Sequence, residues 1–198
     1  MSARNLLVEL FVEELPPKAL KRLGEAFAAA LAESLVAQGL ADAQSAVVDF
    51  ASPRRLGVQM AGVLSRATDK PVSTKLMPVS VGLDAEGKAT PTLLKRLAAL
   101  GADASAVGQL RREGEGKNAA LFHDSIAPGT SLADGLQRAL EAAMVKLPIP
   151  KVMTYQLADG WSTVNFVRPV HGLVALHGTD VVKISVLGLD AGRETQGH

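Results

Sequence analysis

Arginine and histidine are the side chains here with most chemical reach. Arg54 and Arg55 stand side by side after Ser52-Pro53. Each guanidinium offers a planar fork of N–H donors that matches a phosphate. A proline corner can turn both outward, and then they either touch phosphate or form a solvated, salt-bridged turn. Arg168 precedes Pro169 inside an apolar run. An arginine there is paired, snorkels outward, or meets a ligand. His171 and His177 lie six positions apart, which places them on one face of a strand around Leu173 and Ala175. No carboxylate or nucleophile is spaced to work with either, so ordinary histidines are the simpler reading.

Several catalytic patterns are absent. Gly114-Glu115-Gly116-Lys117 resembles part of a phosphate loop, but Arg111 stands where the first glycine belongs and Asn118 where a hydroxyl belongs. There is no Gly-x-Ser-x-Gly elbow and no His-Glu-x-x-His. There is no His-Ile-Gly-His and no Lys-Met-Ser-Lys-Ser, and no Phe-Arg-x-Glu either, since Arg193 and Glu194 are adjacent rather than separated. The chain has no cysteine, and its four histidines show no ligand-like spacing. Thus no catalytic residue and no metal ligand is assigned.

The elements that must position these groups follow from periodicity. Leu6, Val8, Leu10 and Val12 recur at every second position and predict a strand with one buried face. Leu7, Glu9, Phe11 and Glu13 make the other face only partly dry. Pro16-Pro17 ends the strand, and a helix follows from about Pro17 to Gln38, striped by Leu20, Leu23, Phe27, Ala30, Leu31 and Leu35. Strands are expected over 46–51 and 56–64, a loop over 66–73, and an extended stretch over 77–83.

Thr90 and Pro91 open a short helix that Gly101 stops; Leu93, Leu94, Leu97 and Leu100 form its inner face. A hairpin is expected around Gly114 to Asn118. Ser131 with Asp134 caps a helix lined by Leu132, Leu136, Leu140, Ala143, Met144 and Leu147 and ended by Pro148 and Pro150. Phe166 to His177 reads as strand, and Val170 to Val186 as a hairpin. Strands and helices do not alternate strictly. The expected fold is α+β, with a mixed, largely antiparallel sheet and three main helices. It is read as one domain over 1–198, with a possible subdivision near 66–75.

The 198 residues are 47% hydrophobic and 21% charged, with a net charge of +1. That suits one sizeable core or two small ones and excludes a strongly basic nucleic-acid tail, though not local basic patches. No apolar run reaches membrane-spanning length, and no signal-peptide pattern opens the chain, so a soluble cytoplasmic protein without membrane contact is expected. With one Trp and one Tyr, a base-stacking platform is not expected.

Five blocks carry a resemblance. They are Glu13-Glu14-Leu15-Pro16-Pro17-Lys18, Ala51-Ser52-Pro53-Arg54-Arg55-Leu56 and Leu147-Pro148-Ile149-Pro150-Lys151, then Phe166-Val167-Arg168-Pro169-Val170-His171 with Leu173 to Leu176, and Leu187-Gly188 through Ala191-Gly192-Arg193-Glu194-Thr195-Gln196-Gly197-His198. In this order they resemble the beta subunit of the bacterial two-subunit glycyl-tRNA synthetase. Two departures stand out. Met153-Thr154-Tyr155-Gln156 replaces the family's Met-Arg-Trp-Gly, and Gly172 stands where Trp is frequent.

The resemblance implies the N-terminal part of a longer subunit of a ligase, an aminoacyl-tRNA synthetase that attaches glycine to tRNA for protein biosynthesis. It implies an alpha subunit that holds ATP, Mg and glycine, an alpha2beta2 heterotetramer, and no cofactor in this chain. It also implies a non-catalytic share here, in tRNA positioning and assembly. Arg54, Arg55, Arg168, His171, Arg193 and His198 are then candidate tRNA contacts, the last two on resemblance alone. The same region is distantly similar to the B3/B4 domain of the phenylalanyl enzyme, which makes a hydrolytic editing domain one rival and a protein-binding scaffold another.

Overall fold

The computed structural model describes residues 2–84, 86–114, 119–157 and 159–195. The elements are β1 (Ala3–Val12), α1 (Leu20–Ala37), β2 (Val47–Ser52), β3 (Arg55–Leu64), β4 (Lys70–Pro78), α2 (Val79–Gly82), α3 (Pro91–Ala99), β5 (Arg111–Glu113), β6 (Ala120–Ala127) and α4 (Leu132–Lys146). They continue with β7 (Met153–Gln156), β8 (Thr163–Phe166), β9 (Val170–His177), β10 (Asp180–Val181), β11 (Ser185–Val186) and β12 (Leu189–Asp190). Every pairing between these strands is antiparallel, so the chain is α+β as the sequence indicates. No described helix is long and apolar enough to cross a membrane. Contacts divide the chain into two compact units, one of 1–68 with 129–198 and one of 69–128.

The larger unit is built on a five-stranded sheet in the order β10-β9-β1-β3-β2. Leu6, Val8, Leu10 and Val12 of the central strand are all at most 1% exposed, as their alternation predicts. Leu56, Val58 and Met60 of β3 and Leu173 and Ala175 of β9 share this core. Against it pack Leu23, Phe27, Leu31 and Leu35 of α1 and Leu136, Ala139, Leu140 and Ala143 of α4. Each such leucine, fully buried, stabilises the fold by about 1.5–3 kcal/mol. The two helices meet where Gly135 leaves room for the Leu40 side chain. Ser131 caps α4 as expected: its Oγ accepts from Asp134 N–H at 3.1 Å.

Several expectations are corrected. Helix α1 starts at Leu20, not Pro17, because residues 17–19 form a turn and Ala19 supplies no side-chain cap. The stretch read as strand from Phe166 to His177 is broken at 167–169, and its first part pairs with β7 in an unforeseen hairpin. The Val170–Val186 hairpin closes only at Asp180–Val181, opposite His177 and Leu176. Ser185–Val186 pairs instead with Leu189–Asp190. His171 and His177 do not share a face. Phe11 pairs with Gly172 while Val12 pairs with Val170, so His171 is the extra residue of a bulge and turns to solvent. His177 is 6% exposed, and its Nε2 lies 2.7 Å from the Val63 carbonyl oxygen.

The smaller unit is a three-stranded sheet, β4-β6-β5, with α2 and α3. The expected loop over 66–73 is in part strand β4, and Pro71 lies on that edge strand, the place in a sheet where proline is tolerated. The extended stretch expected over 77–83 contains the turn of helix α2. Thr90 caps α3, with Oγ1 accepting from Leu93 N–H at 3.4 Å. Leu93 and Leu97 are buried with Leu121, but Leu94 and Leu100 are exposed and do not join the inner face. β5 and β6 form the expected hairpin, whose tip at 115–118 lies outside the described residues.

On this sheet the Arg111 guanidinium bonds Asp124 and Glu113, each at 3.0 Å, and Ser73 Oγ at 2.9 Å. The hydrogen bond from Arg111 holds the Asp124 carboxyl below the ordinary aspartate value. A lowered carboxyl favours the fold at neutral pH, and that contribution fades as pH falls through its folded-state value. Arg111→Gln should move the Asp124 titration upward in a carboxyl-detected NMR series. An unmoved midpoint would show that the pair is not formed in solution.

Candidate functional site

The sheet face away from α1 and α4 is set by cross-strand register. Ser52 pairs with Arg55, Arg55 with Phe11, and Phe11 with Gly172; one step along lie Phe50, Gly57, Glu9 and Val174. Alternation turns Glu9, Phe11, Phe50 and Arg55 to this face because Leu10, Leu56 and Leu173 are held in the core.

Arg55 belongs to this stack. Its Nη1 donates to Glu9 Oε1 at 3.2 Å, and its Cζ sits 4.7 Å from the centre of the Phe11 ring. Its Nη2 donates to Thr195 Oγ1 at 3.2 Å. The Glu9 side chain is only 13% exposed, so the pair is largely shielded from water. Gly172 is part of the same arrangement. A Cβ there would stand 2.6 Å from Phe11 Cδ2, so the phenylalanine ring fills the space a side chain at 172 would take. This is why the chain accepts glycine at a position where its resemblance led to Trp.

Arg54 differs from its neighbour. It occupies the tight turn between β2 and β3, whose backbone is held by Val12 N–H to the Arg54 carbonyl at 3.0 Å and Leu15 N–H to the Pro53 carbonyl at 2.6 Å. The side chain is exposed and makes no hydrogen bond or ion pair to any described residue. Arg193 is held in the segment that runs along β9, where Gly192 N–H donates to the Leu173 carbonyl at 3.0 Å. Its Nη2 donates to the Thr179 carbonyl at 3.2 Å, and the side chain is otherwise open to solvent.

Arg54, Arg55, His171 and Arg193 thus line one cleft of about 1490 Å³, with Phe11 and Phe50 among its apolar walls. Glu9, Asp190 and Glu194 line it as well, whereas Asp49 borders it only through its backbone and turns its carboxylate to the α1 side, near Gly24. Once Arg55 and Glu9 neutralise each other, both signs of charge remain. A trough for polyanions alone would carry an excess of cations. The phosphate-binding potential is therefore local, at the Arg54 corner and the Arg193 wall.

The other candidates fall elsewhere. Arg168 does not line the cleft, and it makes carbonyl contacts in place of the ion pair. Nε donates to the Glu14 carbonyl at 3.1 Å, and Nη1 to the Val167 carbonyl at 3.0 Å, with Met153 Sδ at 3.2 Å. It ties the acidic corner after β1 to the turn before β9. His198 lies outside the described residues. Among the described residues no group of three or more His, Asp or Glu is placed to hold a metal ion. Sequence reading missed Phe50 and the Glu9–Phe11 floor. The mixed face of β1 signalled them, but their partners on β3 and β9 depend on register.

Comparison with known proteins adds to this geometry. Residues 6–198 match the family described as glycyl-tRNA synthetase beta subunit. The chain is 75% identical over its whole length to the glycine–tRNA ligase beta subunit of Thiobacillus denitrificans, 67% to that of Dechloromonas aromatica and 66% to that of a Janthinobacterium species. It spans 28% of the length of each of these relatives. With a match over nearly all of its residues, the chain belongs to the glycyl-tRNA synthetase beta subunit family.

Proposed function

We propose that this chain serves the ATP-dependent attachment of glycine to its tRNA as a non-catalytic, tRNA-positioning and assembly part of the enzyme. Its partners in this reading are glycine tRNA and an alpha subunit, in an alpha2beta2 assembly working in the cytoplasm. ATP, Mg and glycine are handled by the alpha subunit. The relatives' name as beta subunits of glycine–tRNA ligase supports the companion chain. The observation that carries the positioning role is Arg54: an exposed guanidinium on a rigid turn, at the rim of a cleft it shares with His171 and Arg193. A phosphate contact of this kind fixes the register of a nucleic acid without reading its sequence.

The test is tRNA affinity of the assembled enzyme across a salt series. Arg54→Ala should weaken binding for any tRNA and reduce the slope of log affinity against log salt by roughly 0.7–0.9. Glycine activation should be unchanged, since no reacting group has moved. Superimposable lines for parent and variant would reduce Arg54 to a solvated corner.

One observation favours the hydrolytic rival. Asp190 and Glu194 share the cleft with the arginines, and such carboxylates would hold the ammonium of an aminoacyl ester. Deacylation of mischarged tRNA by the enzyme, abolished by Asp190→Asn, would decide for that reading.

A further inference from the structure

Phe11 and Phe50 both wall the cleft, and each lies opposite a glycine on the next strand: Phe11 pairs with Gly172, and Phe50 with Gly57. Gly57 is buried although it has no side chain of its own. A Cβ there would stand 3.5 Å from Phe50 Cβ and 3.6 Å from Glu9 Cγ, so the Phe50 and Glu9 side chains close over it. The two rings differ in what lies on them. The Arg55 guanidinium covers Phe11, which is 8% exposed. Phe50 stands on β2, the edge strand of the sheet, and is 43% exposed. It is left bare to whatever enters the cleft.

Phe50 and Arg54 belong to one hairpin. Two residues along a strand, roughly 7 Å, separate Phe50 from Ser52 on the same face, and the Arg54 side chain starts from the turn just beyond. A nucleotide carries a flat ring and an anion on one unit at about this spacing. Asp190 and Glu194 also line the cleft, and carboxylates accept hydrogen bonds from ribose hydroxyls and from the amino groups of bases. The mixed charge that ill suits a polyanion therefore suits a lone nucleotide. A duplex presents a row of phosphates instead and keeps the faces of its bases stacked away.

We propose that the cleft takes a single unpaired ribonucleotide of glycine tRNA, its base stacked on Phe50 and its phosphate on Arg54. This rests on the tRNA-positioning reading given under Proposed function and names the part of the tRNA that enters. One bare ring suits one base. A longer single strand calls for several stacking side chains along a cationic track, and neither Trp161 nor Tyr155 lines this cleft. Stacking tolerates any base, so the contact holds a nucleotide in place without reading it.

The experiment uses the assembled enzyme and glycine tRNA. Phe50→Ala should weaken tRNA binding about tenfold or more, the scale of one lost base stack. Phe50→Leu, which keeps apolar cover over Gly57 but has no aromatic face, should lose nearly as much while its melting temperature holds. Phe50→Tyr should bind as the parent does. The slope of log affinity against log salt should stay unchanged for all three, since no phosphate contact is removed, whereas Arg54→Ala lowers it. A photo-crosslinking benzoylphenylalanine at position 50 should join the tRNA at an unpaired nucleotide. Parent affinity for Phe50→Ala beside a loss for Arg54→Ala would overturn the nucleotide slot and leave the positioning reading standing; parent affinity for both variants would overturn the two together. A crosslink to a base-paired stem, to the alpha subunit or to later residues of the beta chain would also overturn the slot.

Discussion

Ile184→Asp should destabilise the chain by about 3 kcal/mol or more, the scale expected for an unpaired charge moved into an apolar interior. Ile184 is 5% exposed and belongs to the main core. The backbone around it is pinned on both sides. Ala191 N–H donates to the Ile184 carbonyl at 2.9 Å. Gln137 of α4 grips the next residue, its Nε2 donating to the Ser185 carbonyl at 2.9 Å and its Oε1 accepting from Ser185 N–H at 2.8 Å. A carboxylate at 184 therefore cannot swing out without releasing α4. The denaturation midpoint should fall with the slope unchanged. Ile184→Val, which keeps an apolar side chain in the same place, should cost only about 0.5–1.5 kcal/mol. A midpoint for Ile184→Asp equal to the parent's would mean that this side chain faces water.

Burial of Val182 and Ile184 also shows what a sequence can and cannot give. Val182, Ile184 and Val186 alternate with Lys183 and Ser185, which predicts one buried face; Val182 and Ile184 are buried, and Val186 is half-buried. The same alternation implied a paired strand, yet only Asp180–Val181 pairs with β9 before the chain turns toward α4. Periodicity reports which side chains avoid water; it does not report which surface shelters them. The central strand and both long core helices were legible because their patterns extend over several turns or pleats.

The β7–β8 hairpin was not legible, since its strands are four residues each and mostly exposed. The cleft was partly legible. Arg54, Arg55, His171 and Arg193 could be named by type, but their convergence depends on the register of β1 against β3 and β9 and on one bulge. Nothing in the order of residues announces that bulge, and it reverses the side on which His171 lies.

Arg54 and Arg55 look alike in sequence, and the structure separates them into two predictions. Arg55→Ala should lower stability by about 1–3 kcal/mol, because it leaves the 13%-exposed Glu9 carboxylate without its cation and uncovers the Phe11 ring. The partial exposure of Arg55, 30%, keeps the effect below that of a fully buried ion pair. If the loss comes from the stranded carboxylate, Glu9→Gln should restore much of it in the Arg55→Ala background while costing little more by itself. A double-mutant cycle reads this as a coupling between the two positions. Arg54→Ala, which breaks no contact to a described residue, should leave the midpoint within about 0.5 kcal/mol of the parent, as surface substitutions generally do. Additive losses in the cycle would show that Arg55 and Glu9 do not depend on one another in solution. A large loss for Arg54→Ala alone would move Arg54 from the rim of the cleft into its support.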